Sequence, residues 1–168
     1  DDLAEPGFDP ATDSWLVFDG DQRLVGYGWA MANGDSDEVQ VDVMAIDGDA
    51  AEWLLDRATE RAVEMGQARG ADSVTLHKGI YRADDGMRAR LEARGFAPVT
   101  TFQRMRIDHT GPVPTPEPPP GITIREATDD ATRHDAYEIH AASFAEHFGY
   151  VRRTYDEWIE RRTARTHF

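Results

Sequence analysis

The 168-residue chain contains no cysteine, which excludes disulfides, thiolate catalysis and cysteine-ligated zinc or iron–sulfur sites. Long apolar runs are also missing, because no stretch approaches the roughly 20 residues that a membrane-spanning helix needs. The first residues show no signal-peptide pattern. Lysine occurs once, at Lys78, beside seventeen arginines. We therefore expect a cytoplasmic protein that does not cross a membrane.

Acidic residues dominate the first third of the sequence. Residues 1–56 hold fifteen aspartates and glutamates and one basic residue, Arg23, whereas the remainder is neutral overall and the whole chain has a net charge of −14. Nucleic-acid binding needs clustered lysine and arginine that displace counterions from phosphate. We therefore expect no nucleic-acid partner.

No metal centre is predicted either. Of the six histidines, only His140 and His147 have a spacing that would put two rings on one helix face, two turns apart. A metal site would need a third ligand, and the sequence indicates none.

The length corresponds to one ordinary domain, since domains commonly contain roughly 100–200 residues. The chain starts at Asp1 without a methionine and stops at Phe168, directly after a charged helical pattern. We therefore expect the sequence to be a piece of a longer protein.

The first elements predicted along the chain are three β-strands. Residues 15–18 and 24–29 are rich in β-forming apolar side chains and flank a short acidic turn, which predicts a hairpin. Residues 38–46 alternate valine with polar side chains and become fully apolar at 44–46. This pattern predicts a third strand whose last residues are buried on both faces.

The main helix is predicted to begin at Asp49, because an N-cap carboxylate followed three residues later by Glu52 is an acidic relative of the capping box. Apolar residues then recur at helical spacing, and Gly66 or Gly70 is expected to end the helix. Residues 73–77 follow as a short strand. The order strand, helix, strand predicts parallel pairing through a right-handed crossover.

A shorter helix is predicted over residues 84–94, with Met87 and Leu91 inward and Gly95 after its end. The alternation over residues 102–107 predicts one more strand.

The composition changes abruptly after residue 108. Six prolines between residues 111 and 120 favour a semi-rigid, extended linker. Beyond it we predict a strand over 122–127 and helices over 133–148 and 154–165. The expected organisation is therefore an irregular lead-in over 1–13, a first part over 14–108, a Pro-rich linker over 109–120 and a second part over 121–168.

The order of these elements resembles the middle and C-terminal part of the GNAT acetyltransferase fold. The resemblance is carried by residues 24–27 in the hairpin, 54–55 in the main helix and 91–96, which end in Gly-Phe. The second part resembles the opening of a GNAT domain, through residues 121–127 and the later segment 143–148. The chain is similar to the interdomain junction of tandem two-domain GNAT proteins of the mycothiol synthase type.

The resemblance implies an α/β (α+β) fold with a mixed central sheet flanked by helices. The two parts together supply one complete set of GNAT elements in permuted order, so we predict that they pack into one sheet, within one chain or between two. The implied partners are a small-molecule amine that accepts the acyl group and either a partner GNAT domain or a second copy of the chain.

The family also implies a function, the transfer of an acetyl group from acetyl-CoA to an amine. Its coenzyme places the diphosphate on the N-terminus of the main helix, where unpaired N–H groups and the helix dipole attract anions, and the pantetheine arm along the preceding strand. The implied cofactor-binding residues in this sequence are Met44, Ala45, Ile46, Asp49, Ala50 and Ala51.

The sequence departs from the family pattern at two places. The loop that usually brings several glycines and an Arg or Gln is only Asp47-Gly48-Asp49, and Asp49 is predicted to accept the N–H groups that a diphosphate needs. Leu91 stands where many members have a proton-donating tyrosine, so no catalytic residue is assigned. The alternative function is therefore a non-catalytic GNAT-like module that binds or supports a partner after losing its coenzyme loop.

Overall fold

The computed structural model describes residues 7–163. They divide into two units, one made of residues 7–97 and 151–163 and the other of Pro98–Tyr150. The elements in chain order are α1 (Pro10–Asp13), β1 (Ser14–Phe18), β2 (Leu24–Ala32), β3 (Glu38–Ala45), α2 (Gly48–Ala68), β4 (Thr75–His77), α3 (Asp85–Ala93), α4 (Asp130–Phe144) and α5 (Tyr155–Thr163).

The four strands form one mixed sheet in chain order. β1, β2 and β3 are antiparallel neighbours, which confirms the predicted hairpin and the third strand. β3 and β4 pair in parallel, as the strand, helix, strand order predicts. The expected mixed sheet flanked by helices is therefore present in the first unit.

Helix α2 covers one face of this sheet. Its buried residues fall on one stripe: Ala50, Ala51, Leu54, Leu55, Ala58, Ala62, Met65 and Gly66. A Cβ on Gly26 would lie 3.0 Å from Leu54 Cδ1, and one on Gly28 would lie 3.2 Å from Leu54 Cδ2. Glycine at these two positions of β2 therefore lets the helix lie close to the sheet.

The C-terminal end of α2 packs just as closely against the chain that follows it. A Cβ on Gly66 would lie 2.2 Å from Val74 Cγ1, so the absence of a side chain at 66 makes room for Val74. The helix continues to Ala68, and Gly70 follows with φ 71°. Of the two predicted endings, Gly70 is therefore the correct one.

Helix α3 agrees with its prediction. Met87 and Leu91 are buried, and Gly95 follows the helix with φ 84°. Met87 and Leu91 pack with Leu54 and Leu55 in one core cluster. The inward face of α3 is therefore the one that the spacing of its apolar residues predicts.

The end of the predicted irregular lead-in is helical, so that part of the prediction is wrong. Helix α1 is a single turn with Asp9 as its N-cap, and Asp13 at its end is buried. Arg61 of α2 donates from Nε to Asp13 Oδ1 at 2.8 Å. This pairing explains the ordered turn, and residues 1–6 lie outside the described residues.

The prediction that residues 44–46 are buried on both faces is wrong. Met44 is 51 % exposed and Ile46 is 88 % exposed. The reason is that α2 covers only the face on which Val39, Val41 and Val43 lie, while Met44 points to the opposite face. Ile46 lies beyond the end of the strand.

The strands predicted over 102–107 and 122–127 are wrong, because neither segment forms a strand. All strands in residues 7–163 come from residues 14–77, so the prediction that both parts contribute strands to one sheet is wrong within this chain. The alternative, pairing between two chains, stays a prediction. Every residue from 97 to 131 is exposed. An alternating segment gains little from extended structure when no neighbouring strand and no covering layer is present.

Helices form near both later predicted positions. The helix predicted over 133–148 is α4, which starts earlier because Asp129 caps it and ends earlier, at Phe144. The helix predicted over 154–165 is α5, whose last predicted residues, 164 and 165, lie outside the described residues. None of the helices in residues 7–163 combines the length and apolar character that crossing a membrane requires.

Candidate functional site

An open pocket lies where the ends of β1 and β3 meet the starts of β2 and α2. Its volume is about 650 Å³, within the range of about 300–1,000 Å³ that is common for small-molecule sites. Its lining combines six apolar side chains with three carboxylates: Val17, Phe18, Val25, Ile46, Ala50 and Trp53 with Asp19, Asp47 and Asp49. The lining of the pocket is therefore mostly apolar and carries three acidic side chains.

Three of the six predicted cofactor-binding residues line this pocket: Ile46, Asp49 and Ala50. The other three lie elsewhere. Met44 is on the opposite face of the sheet, where Tyr27 donates from Oη to Met44 Sδ at 3.2 Å. Ala45 packs against the core cluster under α2, and Ala51 is buried within that helix.

The N-cap of α2 is Asp47, so the prediction that Asp49 fills this role is wrong. Asp47 Oδ1 accepts a hydrogen bond from the Ala50 amide at 2.9 Å, and the Asp47 carbonyl oxygen accepts one from Ala51 at 3.1 Å. Gly48 is already helical, so the cap has to precede it. The amides of Gly48 and Asp49 donate to no acceptor within residues 7–163 and remain available to an anion.

A cation that sequence analysis missed faces this first turn. A Cβ on Gly48 would lie 3.1 Å from Arg90 Nη2, so the guanidinium of α3 reaches the start of α2. Arg90 Nε also lies 2.9 Å from Glu52 Oε1. Arg90 thus supplies positive charge beside a loop whose own sequence has none, and no short-range motif could have indicated it because the contact joins two separate helices.

A neighbouring arginine fixes the position of α3 against α2. Arg94 Nη2 lies 2.8 Å from Asp56 Oδ1 and 2.6 Å from Glu52 Oε2. These hydrogen bonds, to Asp56 first and then to Glu52, hold the pKa of Arg94 above its ordinary value against the opposing effect of burial. Glu52 is therefore shared between two arginines.

Strands β3 and β4 separate after a short paired stretch. The pairing covers three positions and ends where His77 lies opposite Gln40, whereas β3 continues to Ala45. Residues 41–45 of β3 thus have a strand neighbour only on the β2 side within the described chain. We call the gap bounded by residues 41–45 and 77–79 the fork.

The backbone amides and carbonyls of β3 face β2 and the fork in alternation. Asn33 donates from its amide to the Glu38 carbonyl, and Ile46 donates to the Val25 carbonyl. Since backbone groups alternate sides along a strand, even-numbered residues of β3 bond to β2 and odd-numbered ones turn their amides and carbonyls to the other edge. The backbone groups of Val43 and Ala45 therefore face the fork.

Lys78 fills the inner part of the fork. Its side chain is only 4 % exposed, and Nζ donates to Asp42 Oδ1 and, at 2.8 Å, to the Gly79 carbonyl oxygen. Asp42 Oδ1 also accepts a hydrogen bond from the Val43 amide at 2.9 Å. The ammonium of Lys78, the carboxylate of Asp42 and the amide of Val43 thus meet at one point. From the sequence, Lys78 was notable only as the single lysine of the chain.

No model of a known protein family matches the chain, and no curated protein matches it.

The position that the GNAT resemblance assigns to a proton-donating tyrosine holds Leu91, which is buried in the core. Within residues 7–163, no three histidine, aspartate or glutamate side chains are grouped so that they could hold a metal ion. The chemistry available at this end of the sheet is therefore hydrogen bonding and charge: the Gly48 and Asp49 amides and Arg90 at the start of α2, and Lys78 with Asp42 in the fork.

Proposed function

We propose that the chain is a GNAT-type domain that binds acetyl-CoA and transfers the acetyl group to an amine. The observation that carries this proposal is the fork, since two parallel strands that pair over three positions and then separate leave one edge of β3 without a strand neighbour. An extended ligand with amide groups can hydrogen-bond to such an edge as an added strand would. The pantetheine arm of coenzyme A is a ligand of this kind.

The outer part of the fork suits the pantetheine arm better than the inner part, which Lys78 fills. The backbone groups of Ala45 face the fork, and the neighbouring side chains of Met44 and Ile46 are exposed. Two peptide-like amides in the arm could exchange hydrogen bonds with Ala45, while apolar contact to Ile46 would remove exposed surface from water. This supports the predicted role of residues 44–46 in holding the coenzyme.

The diphosphate of the coenzyme would lie at the first turn of α2. The amides of Gly48 and Asp49 are available there, the helix dipole is positive at this end, and Arg90 Nη2 lies near Gly48. The carboxylates of Asp47 and Asp49 act against binding. We therefore expect affinity in the micromolar range, set by the balance between Arg90 and these two carboxylates.

The pocket beside α2 is lined by Asp47 and Asp49, at the end of the proposed ligand that carries the diphosphate. The acceptor amine is therefore expected elsewhere, beside the acyl group in the fork. The acceptor must lose a proton before its nitrogen can attack the thioester carbon. Catalysis would then come mainly from holding the two reactants in the correct relative orientation.

Isothermal titration of the 168-residue chain with acetyl-CoA tests the proposal. We expect a dissociation constant in the micromolar range, about tenfold weaker binding for Arg90→Met and about tenfold tighter binding for Asp49→Asn, a change of about 1.4 kcal/mol each. Asp49→Asn removes a charge without touching the N-cap. Arg69→Met is the matched control, because Arg69 caps the opposite end of α2 and donates to the Ser36 carbonyl.

A non-catalytic GNAT-like module is the second candidate, and one observation favours it: Asp47 already binds the Ala50 amide that a diphosphate would need. If this is the function, acetyl-CoA will not bind up to millimolar concentration. Binding would return in the Asp47→Asn/Asp49→Asn double variant, since asparagine still caps the helix and both charges are gone. If neither the wild-type chain nor this variant binds acetyl-CoA, the acetyltransferase function is ruled out and the fork does not bind the coenzyme.

A further inference from the structure

Lys78 has a hydrogen-bond donor that the described chain does not use. An ammonium group carries three N–H donors. Two of them bind Asp42 Oδ1 and the Gly79 carbonyl oxygen, and no third acceptor for Nζ is found within residues 7–163. The side chain as a whole is only 4 % exposed, so little of it is open to bulk water.

Such an arrangement costs free energy unless something binds the third donor. A buried donor without a partner is destabilising, and a buried charge is tolerated only when it is paired and hydrogen-bonded. Asp42 supplies the pairing but not the third hydrogen bond. The fork therefore offers one directed N–H, from a fixed cation, to an oxygen atom of a ligand.

The charge balance of the fork indicates what kind of oxygen fits. Lys78 and Asp42 neutralise each other, and a phosphate placed against Nζ would also face the Asp42 carboxylate. A neutral carbonyl oxygen avoids that repulsion and can still accept the hydrogen bond. The alternative donor on β3, the Val43 amide, is already bound to Asp42 Oδ1.

We propose that the third N–H of Lys78 binds the carbonyl oxygen of the acyl group that the coenzyme carries, and stabilises the negative charge that develops on that oxygen during transfer. This inference rests on the proposed function. The order of groups along the chain agrees with it: the fork at Val43, the exposed strand edge at Ala45 and the anion-binding turn at Gly48 match the acyl, pantetheine and diphosphate parts of one extended ligand.

The step is balanced without any change in the protonation of Lys78. The acceptor nitrogen forms a bond to the thioester carbon, and the carbonyl electron pair moves to oxygen, where Nζ–H holds it. When the pair returns, the carbon–sulfur bond breaks. The proton lost by the nitrogen is taken by the thiolate, directly or through water. Asp42 is a positioning residue, because it orients Nζ and does not touch the substrate.

A single-lysine chain allows a direct test on the wild-type protein. Incorporation of lysine labelled with ¹⁵N at Nζ gives one side-chain ammonium resonance, from Lys78. Acetyl-CoA and free CoA differ only in the acyl group, so we expect acetyl-CoA to shift this resonance clearly and CoA to shift it little. Equal shifts, or no shift with either ligand once both are bound, would overturn the inference and leave the proposed function standing.

Infrared spectroscopy of bound acetyl-CoA, labelled with ¹³C at the acetyl carbonyl, measures polarisation of the same bond. The carbonyl stretch should move to lower frequency on the wild-type protein, and Lys78→Met should abolish that shift while changing acetyl-CoA affinity less than about threefold. An identical frequency in both proteins contradicts the inference. Arg69→Met, which leaves the fork intact, should keep the full shift.

Turnover gives the third readout. Removing a donor that stabilises an oxyanion lowers kcat by about 100- to 1,000-fold, so Lys78→Met should lose activity in kcat rather than in KM. Should Lys78→Met fail to fold, the labelled wild-type protein decides the question. Absence of acetyl-CoA binding to the wild-type chain would overturn the proposed function and this inference together, an outcome that titration identifies before any variant is made.

Discussion

Two segments of the chain carry the same kind of alternating pattern and differ in structure. In β3, valines at every second position lie under α2 with exposed fractions of only 1–2 %: Val39, Val41 and Val43. Over residues 104–107 arginine alternates with Met105 and Ile107, yet Met105 is 90 % exposed and the segment forms no strand. β3 has β2 and β4 beside it and α2 above it, whereas the later segment pairs with no strand of residues 7–163.

The difference shows where the folding free energy comes from. A strand needs partners for its backbone groups and an apolar layer to cover one face, and both come from distant parts of the chain. Alternation indicates that a segment can use such an environment. It does not show that partner strands and a covering apolar layer are present. The predictions below therefore compare residues that have such surroundings with residues that lack them.

The largest contrast is expected from proline at two exposed positions. Gln40 lies in β3, and its amide faces β2, so Gln40→Pro removes a ladder hydrogen bond in an internal strand and should cost at least about 3 kcal/mol. Met105→Pro should change the free energy of unfolding by no more than about 0.5 kcal/mol. Urea denaturation measures both. A large loss for Met105→Pro would mean that residues 102–107 contribute to the fold.

Truncation of an apolar side chain should give the next largest contrast. Leu54 is fully buried between α2 and the sheet, so Leu54→Ala should lower the free energy of unfolding by about 2–5 kcal/mol. Ile124→Ala should leave it almost unchanged, because Ile124 is 76 % exposed. Similar losses at the two positions would contradict the assignment of Leu54 to the core and of Ile124 to the surface.

Adding a methyl group at the end of α2 should have a smaller effect. Gly66→Ala places a Cβ against Val74 and should cost about 1–2 kcal/mol, since crowding of about 1–3 kcal/mol is partly offset by the better helix propensity of alanine. Val74→Ala makes room for the new carbon. In a double-mutant cycle we expect the two changes to couple favourably by about 1 kcal/mol, and simple additivity would refute the contact.

The smallest effect is expected in helix α4 of the second unit, because this helix begins at a local cap, Asp129. Hydrogen bonds from the backbone and hydroxyl of Thr132 lower the pKa of Asp129. A lowered pKa means that the stabilisation is complete above the ordinary pKa of aspartate and is lost as the pH falls through the lowered value. Circular dichroism should therefore show a small loss of helix in acid that Asp129→Ala reduces and Asp108→Ala does not.

The parts of the fold that could be predicted are those that depend on nearby residues. The apolar stripe of α2, its end at Gly70 and the inward face of α3 follow from helical spacing and glycine conformation. The start of α2 was misplaced by two residues because Asp47 and Asp49 both suit a cap. Glu52 made Asp49 the better match, whereas in the structure Glu52 pairs with Arg90 and Arg94.

The candidate site was predictable only in outline. Ile46, Asp49 and Ala50 lie together because they are neighbours in sequence at a strand-to-helix connection. Arg90 reaches the same turn from another helix, and Lys78 reaches Asp42 across the fork. Such contacts depend on how the elements pack, so spacing along the chain carries no information about them.

The enclosure of Lys78 has a practical consequence. Reagents that modify primary amines have two targets in this chain, the amino terminus and Lys78, and only an opened fork would admit an activated ester to the second. The extent of labelling at this residue would thus record how often the centre of the sheet opens. In the denatured protein, failure of trypsin to cleave after Lys78 would mark each molecule that had been modified.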